Sequence, residues 1–599
     1  MATPYVSAGA YTREIDQSLY VQQLSDTAIG VVGTAQWGPT NVPTLITSAN
    51  QLVNTFGNPT GGRSDQDGGA GTPQHPMYYT LLQFFRKARR AWVVRVANSD
   101  IAAAVDLYAT PDPSGSMGAA TAVVKVRAKY TGSFGNNIRL RITAGTKGPA
   151  YRKLQVFVTS PKDATKMALT ETFDNLTIAD SAAADSWKTK TDASNYITAS
   201  ITVTGRQPDA VSGVIDPALV SVDPNAAGGP AGSALAAASP ALVPGDTFYQ
   251  LSGGDDGDAA LTDADFTGTV DGGPNGGPSG LHCFDNAEAF VVNLVAVPGP
   301  QKRTNNDNRL SFDSGNSSAI VDGLINLCEL RGDCMALIDP PFGLTPTGVA
   351  FWTNGDFDCS GVIGDSQFDG ASIDSNLIAA YYPWVQLFDE FSGQNLYLPP
   401  SAFASEAIAN TDFTTDPWFA PAGLNRARID NAIRAERTLT LGERDYLYSG
   451  DPNIINPIAT FQGTGLVIWG QRTMQRTHTS LDRINVRRML LVLRKLISTA
   501  LQSLVFEPND PTMWRRFRGL VTPFLQAVQN RRGITQFRVI MDESTNTPDI
   551  IEQNMAVGKV FIQPTKTAEI IVVDFVLTPQ GAAFQEIVNS LGGSVAGNV

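Results

Sequence analysis

Ten residues near the C-terminus, Ala568-Glu569-Ile570-Ile571-Val572-Val573-Asp574-Phe575-Val576-Leu577, leave little freedom in what this chain can build. β-Branched and aromatic residues favour a strand, and apolar side chains fall on both alternating faces. A strand here must therefore be covered on both sides. The opposite end behaves differently: in residues 1–27, Ala10-Tyr11-Thr12-Arg13-Glu14-Ile15-Asp16 alternates in character but carries too little apolar area to fold alone. It reads as an extended arm that needs a partner surface.

Between these ends lie several units, as 599 residues with 42% hydrophobic content require. In residues 28–104 the strand Ile29-Gly30-Val31-Val32-Gly33, a helix over Met77–Ala88 and the strand Trp92-Val93-Val94-Arg95-Val96 form an α/β segment. From 105 to 245 short alternating strands take over. Val124 to Tyr130 turns through Gly132-Ser133-Phe134-Gly135-Asn136-Asn137 into Ile138–Ile142, which predicts an antiparallel hairpin. An Ala/Gly/Pro/Ser-rich run from Pro224 to Pro244 closes this stretch as a linker, so it reads as an inserted β domain. In 246–455 the α/β texture returns: strand Ala289–Val295, helix Ser318–Arg331 and strand Cys334–Asp339 predict a parallel pair with a helical crossover.

The C-terminal portion, 456–578, holds the clearest helices, and a tail of about twenty residues, 579–599, follows it. Thr479 or Ser480 can cap a helix running to about Val505, with Met489, Leu493, Leu496, Ile497, Ala500 and Leu504 on one side. A second helix takes Asp510 as cap and Pro511 as first residue, carries Trp514, Phe517, Val521 and Phe524, and stops at Gly533. Strands are expected at Phe537–Met541 and Lys559–Gln563. The fold class is thus a multidomain α+β or α/β chain, with a mixed-sheet core, an inserted antiparallel β domain and extended arms.

Chemical motifs are mostly missing. Leu251-Ser252-Gly253-Gly254-Asp255-Asp256-Gly257 opens like the nucleotide-sensing signature of transport ATPases, but no Gly-rich loop ending in Gly-Lys-Ser/Thr accompanies it. Gly463-Thr464-Gly465 fails the dinucleotide spacing, and His75, His282 and His478 stand without triad context. The four cysteines form no C-x-x-C pair and read as reduced, buried thiols. Asp356-Phe357-Asp358-Cys359-Ser360-Gly361, with Ile363, matches part of a calcium loop, but Gln367 stands where a bidentate carboxylate should close it. No catalytic, cofactor-binding or metal site is assigned, and no apolar run reaches the roughly 20 residues that span a bilayer.

Charge is unevenly placed. The chain carries −13 overall, yet the segment from Gly470 to Ile540 is +10 and the remainder −23. Within the first C-terminal helix, Arg483, Arg487, Arg488, Arg494 and Lys495 lie on about three turns with Asp482 as the nearby acid. Nucleic acid would favour aromatic residues among these cations, and there are none. An acidic protein surface is the better partner.

Taken in order, Ala10–Asp16, Tyr130–Ile138, Leu251–Gly257 with Thr262–Phe266, Tyr381-Tyr382-Pro383-Trp384, Pro399-Pro400-Ser401, Trp418–Gly423, Val467–Thr473, Asn485-Val486-Arg487-Arg488 and Val505-Phe506-Glu507-Pro508-Asn509-Asp510 resemble the tail sheath proteins of contractile bacteriophages and related injection machines. The resemblance implies a structural subunit that polymerises around an inner tail tube and contracts from a metastable state to drive that tube through a cell envelope. It implies a homo-oligomer of stacked hexameric rings or a helix, with tube, baseplate and tail terminator or neck proteins as partners. Neither nucleic acid nor membrane is contacted directly, and no cofactor is needed. Assembly would take place in the host cytoplasm and end in the virion tail. Arms in that family add strands to neighbouring subunits, a role that would fall on Tyr11, Thr12, Arg13, Glu14, Ile15 and Asp16 and on Ile570, Val572, Val573, Phe575 and Leu577. The five cations of the basic helix would face the tube, and the β insertion would face outward. A type VI secretion sheath is the nearest alternative; a hydrolase or a carbohydrate-binding module is more remote.

Overall fold

The computed structural model describes residues 27–57, 75–109, 121–160, 163–178, 183–202, 249–257, 261–273, 276–299, 317–355, 372–390, 393–450 and 454–573. Tyr11 to Asp16, Phe575, Leu577 and the Asp356–Gln367 loop lie outside them. Two compact units arise, Met1–Val521 and Thr522–Val599.

The first unit is organised by a nine-stranded mixed sheet. Its first contributors are β1 (Ala28–Gly33), β2 (Thr44–Ile46) and β3 (Arg90–Arg95), with helices α1 (Ala49–Phe56) and α2 (Pro76–Phe84) between them. All six β1 residues are buried, which suits a run without polar alternation to the middle of a sheet covered on both faces. β1 pairs in parallel with β3 on one side.

The chain then leaves the sheet. β4 (Ala104–Ala109), β5 (Thr121–Ala128), β6 (Arg139–Gly145), β7 (Gly148–Ser160), β8 (Asp163–Leu176), helix α3 (Trp187–Thr191), β9 (Ile197–Ile201) and β10 (Tyr249–Gln250) make two antiparallel sheets, β4-β5-β9 and β10-β6-β7-β8. Val124, Val126, Leu140, Ile142, Leu154, Val156 and the fully buried Trp187 share one apolar core between them. The expected hairpin of 124–130 with 138–142 does not form, because β5 and β6 belong to different sheets. The segment between them is a short 3-10 turn, Ser133–Asn137. Its clasp on residues 254–256 sends the chain across to the facing sheet, and the alternating pattern served each inner face equally well.

That clasp explains the Leu251–Gly257 motif. Asp256 accepts from the Ser133 N–H (2.7 Å) and hydroxyl (2.8 Å), while Asn136 exchanges two bonds with the Gly254 backbone, at 2.8 and 2.9 Å. Arg95, fully buried, donates to the carbonyls of Ala35 (2.8 Å), Gly38 (3.0 Å), Thr131 (2.8 Å) and Asp256 (3.3 Å). Gly132, at φ 131°, admits no side chain: a Cβ there would sit 2.0 Å from the Gln36 carbonyl oxygen.

Back in the main sheet, α4 (Asp263–Thr267) precedes β11 (Leu294–Ala296), α5 (Ser318–Arg331) and β12 (Met335–Ile338). β11 and β12 are parallel, joined by the expected crossover helix. Ser317 caps α5 and Gly332, at φ 63°, ends it. Next come α6 (Pro346–Asn354), β13 (Ile378–Tyr382), β14 (Val385–Asp389), β15 (Gln394–Leu398), α7 (Pro400–Thr414), β16 (Arg428–Ile429), β17 (Ala432–Ala435), α8 (Leu441–Tyr448), β18 (Asn456–Phe461) and β19 (Gly465–Ile468). The sheet order is β16-β19-β18-β13-β12-β11-β1-β3-β2. β18 and β19, placed by sequence in the C-terminal portion, therefore complete the central sheet. Asn456 ties them in: its amide donates to the Ala380 (3.0 Å) and Arg472 (2.8 Å) carbonyls.

Helices α9 (Ile484–Leu501) and α10 (Pro511–Asn530) follow, then β20 (Ile534–Ile540), α11 (Pro548–Glu552) and β21 (Lys559–Pro564). In the second unit β20 and β21 pair as an antiparallel hairpin. Leu525, Val528, Ile534 and Met541 are its buried apolar residues.

Candidate assembly surfaces

α9 starts later than its sequence suggests. Arg483 occupies the cap position, because the Thr479 hydroxyl is engaged by Gln475 and the Leu481 N–H in a preceding turn. Its buried residues are Ile484, Asn485, Val486, Arg488, Met489, Leu491 and Leu493, so a cation sits on the inner face.

The five expected tube-facing cations are not one free stripe. Arg488 is 5% exposed and forms an ion pair with Asp412 at the end of α7. Thr27, the first described residue after the N-terminal segment, donates to the same carboxylate. Lys495 reaches Asp333 at 2.6 Å, and Asp333 also receives Arg331 at 2.9 and 3.2 Å. Arg483 pairs with Asp482 at 2.9 Å. Arg487 is half-buried, and burial first, then the neighbouring Arg494, lower its pKa. Arg494 is exposed, with its guanidinium packed against Gly332. The helix sits among acids of the central fold, which neutralise charges that sequence spacing leaves unpaired.

The outward cations lie one helix further on. α10 begins as expected, with Asp510 accepting from the Met513 N–H at 2.7 Å and Pro511 opening the helix. Met513, Trp514 and Phe517 are buried, and between them Arg515, Arg516 and Arg518 are exposed. Arg516 approaches Glu507 at 3.7 Å, a pair open to solvent. The turn before it exposes Val505 and leaves Phe506 fully exposed at φ 69°.

In the second unit the C-terminal run is the conspicuous surface. Residues 568–573 form no strand, and Ile570, Ile571, Val572 and Val573 are 85%, 81%, 77% and 66% exposed. Among the described residues the β20–β21 sheet has two strands, so each carries a backbone edge that no described strand pairs. The sequence called for a strand covered on both sides, and among the described residues neither a strand partner nor a cover is supplied.

Among the described residues no group of His, Cys, Asp or Glu has a metal-ligand arrangement, and no helix is long and apolar enough to cross a membrane. Cys283, Cys328 and Cys334 are buried and free.

Two family profiles match adjoining parts of the chain: the phage tail sheath protein central domain over residues 273–474 and the phage tail sheath C-terminal domain over 477–578. The tail sheath protein of Vibrio phage KVP40 is 27% identical over 348 residues, covering 57% of this chain and 48% of that protein. The tail sheath protein of Enterobacteria phage T4 is 30% identical over 288 residues, covering 46% of this chain and 42% of that one. The chain thus spans about half the length of these relatives or less. Among solved structures, the sheath tail protein of Listeria innocua superposes with a TM-score of 0.52 at 13% identity, over 90% of this chain and 95% of that one. At that identity it is the fold that is shared.

Proposed function

We propose, from the premise that this chain belongs to the phage tail sheath family, that it is the repeating subunit of a contractile tail sheath. It polymerises around an inner tube and contracts to drive that tube through a host envelope. The observation that carries this reading is the apolar run Ile570–Val573, exposed after a two-stranded sheet whose edges no described strand pairs. An apolar strand of this kind is stable only when a neighbour's sheet accepts it, and main-chain pairing lets subunit cores rotate while the links persist. The N-terminal segment with Tyr11 to Asp16 supplies the reciprocal link, and Phe575 and Leu577 extend the C-terminal one.

The tube-facing surface is better assigned to Arg515, Arg516 and Arg518 with Arg494 than to the original α9 set, because Arg488 and Lys495 are taken up by Asp412 and Asp333. Exposed pairs contribute about 0–1 kcal/mol each, a strength suited to a grip that must be released. The β4–β10 sandwich is read as facing outward, and baseplate and terminator proteins as capping the polymer in the virion after assembly in the host cytoplasm. Both relatives compared are phage proteins, which favours a phage tail over a secretion apparatus. No catalytic role is proposed.

Negative-stain electron microscopy of the purified chain, with and without its first 20 residues, tests this reading. Hollow striated tubes that vanish on truncation support an arm-linked sheath. Single particles in both samples, even when the tube protein is co-expressed, would sink it.

A further inference from the structure

We propose that Cys328 and Cys334 are a redox-responsive dithiol that closes to an intrachain disulfide when the chain meets a peroxide. Their sulfurs stand 3.6 Å apart and both residues are fully buried. Cys328 lies in the last turn of α5 and Cys334 just ahead of β12, with the left-handed Gly332 between them. The turn is held on several sides. Arg331 donates to the Phe284 and Phe290 carbonyls and to both Asp333 oxygens, and Lys495 shares the Asp333 Oδ2. The sulfurs are therefore presented to each other by a braced loop rather than meeting by chance.

A disulfide needs its sulfurs about 2.05 Å apart, so closure asks for a shift of roughly 1.5 Å. The chemistry balances with hydrogen peroxide as oxidant. One sulfur attacks a peroxide oxygen as its thiol proton passes to the departing hydroxide, the O–O bond breaks, and a sulfenic acid and water result. The second sulfur attacks the sulfenic sulfur, the S–O bond breaks, and the second thiol's proton joins the departing hydroxide so that another water leaves. Two thiols are oxidised and one peroxide is reduced to two waters.

The surroundings set the rate. Contact with Cys334 and burial hold the Cys328 thiol protonated, while the nearby Arg331 favours its thiolate. The pair is thus stable when reduced and reacts slowly with an oxidant small enough to reach it. Cys283 is the internal contrast: its thiol donates to the Asn41 and Pro278 carbonyls, and burial first, then Asp285, pushes it up to about 12. Because Arg494 packs on Gly332 and Lys495 on Asp333, closure would fix the turn on which α9 rests.

The test uses the folded full-length chain, treated with graded hydrogen peroxide, alkylated and digested. Trypsin cuts after Arg331 and so separates the two cysteines, and chymotrypsin cuts between Cys334 and Cys359 at aromatic residues such as Phe342. The expected product is a Cys328–Cys334 linked peptide pair, lighter by two hydrogens than its parts and split by a reductant, in most of the chain. In Cys334→Ala, Cys328 should instead accumulate sulfenic acid that a dimedone probe captures. Recovery of Cys328 and Cys334 as separate alkylated peptides at peroxide levels that already oxidise Cys283, or linkage of Cys328 to Cys283 or Cys359, would overturn the proposal.

Discussion

Helix α9 and the first half of α10 follow one another in the chain and are alike in composition, yet they dispose of their cations in opposite ways. On α9, Arg488 is buried against Asp412 and Lys495 reaches Asp333, while on α10 Arg515, Arg516 and Arg518 remain exposed around a buried Trp514 and Phe517. A basic helix is thus not in itself a docking surface. What decides is whether acids from elsewhere in the fold have already neutralised it.

The sharpest way to break this contrast is Arg488→Ala. It leaves the partly buried Asp412 without its cation and should cost up to about 3 kcal/mol of unfolding free energy, read by chemical denaturation; a loss below about 1 kcal/mol would mean that α9 is not held by its charges. Asp339 probes the same inner set without a cation. Fully buried, it accepts the Ser401 N–H (2.7 Å) and hydroxyl (2.6 Å) at the start of α7. Burial, only partly offset by the Ser401 and Gly299 hydrogen bonds, pushes its carboxyl from 3.8 up to about 7. Between about pH 4 and 7 the unfolded chain releases this proton while the folded chain keeps it. Stability should then fall as pH rises, by about 4 kcal/mol in all at about 1.4 per unit, and level off above 7. Glu406 and Glu436, pushed up to about 7 by burial, slope the same way, so Asp339→Asn should lower the slope by about 1.4 kcal/mol per pH unit in urea titrations run across the same range, and an unchanged slope would assign it to those two groups.

The outer set should respond in the reverse sense. Replacing Arg515, Arg516 and Arg518 together by alanine is expected to change the chain's own stability by no more than about 1 kcal/mol, while weakening assembly on tubes and reducing its salt dependence. Unaltered salt dependence would remove α10 from the tube contact. Smallest in the isolated chain is Val572→Asp with Val573→Asp: both positions are solvent-exposed, so melting should move within about 0.5 kcal/mol while polymer formation is lost. Polymers formed normally by that variant would argue that this segment is not a link.

Much of the central sheet was legible because β1, β3, β11 and β12 are short apolar runs, and a helix over 318–331 separates the last two. The Asp510 cap and the apolar stripe of α10 were equally local. The hairpin of 124–142 was misread because alternation fits either of two facing sheets, and only the clasp on Gly254 and Asp256 decides between them. The strands β18 and β19 carry no signal of which sheet they join.

By itself the sequence determined the type of most central-sheet elements, the Asp510 cap, and the mismatch between an apolar C-terminal run and anything nearby to cover it, since these depend on residues a few positions apart. Only the tertiary structure decided which cations stay available and which thiols meet. The partner of Arg488 is 76 residues away and that of Lys495 is 162, and Cys334 reaches Cys328 only because a left-handed Gly332 turns the chain back. Electrostatic neutralisation and close contact act through space, and spacing along a chain reports them only within a turn or two.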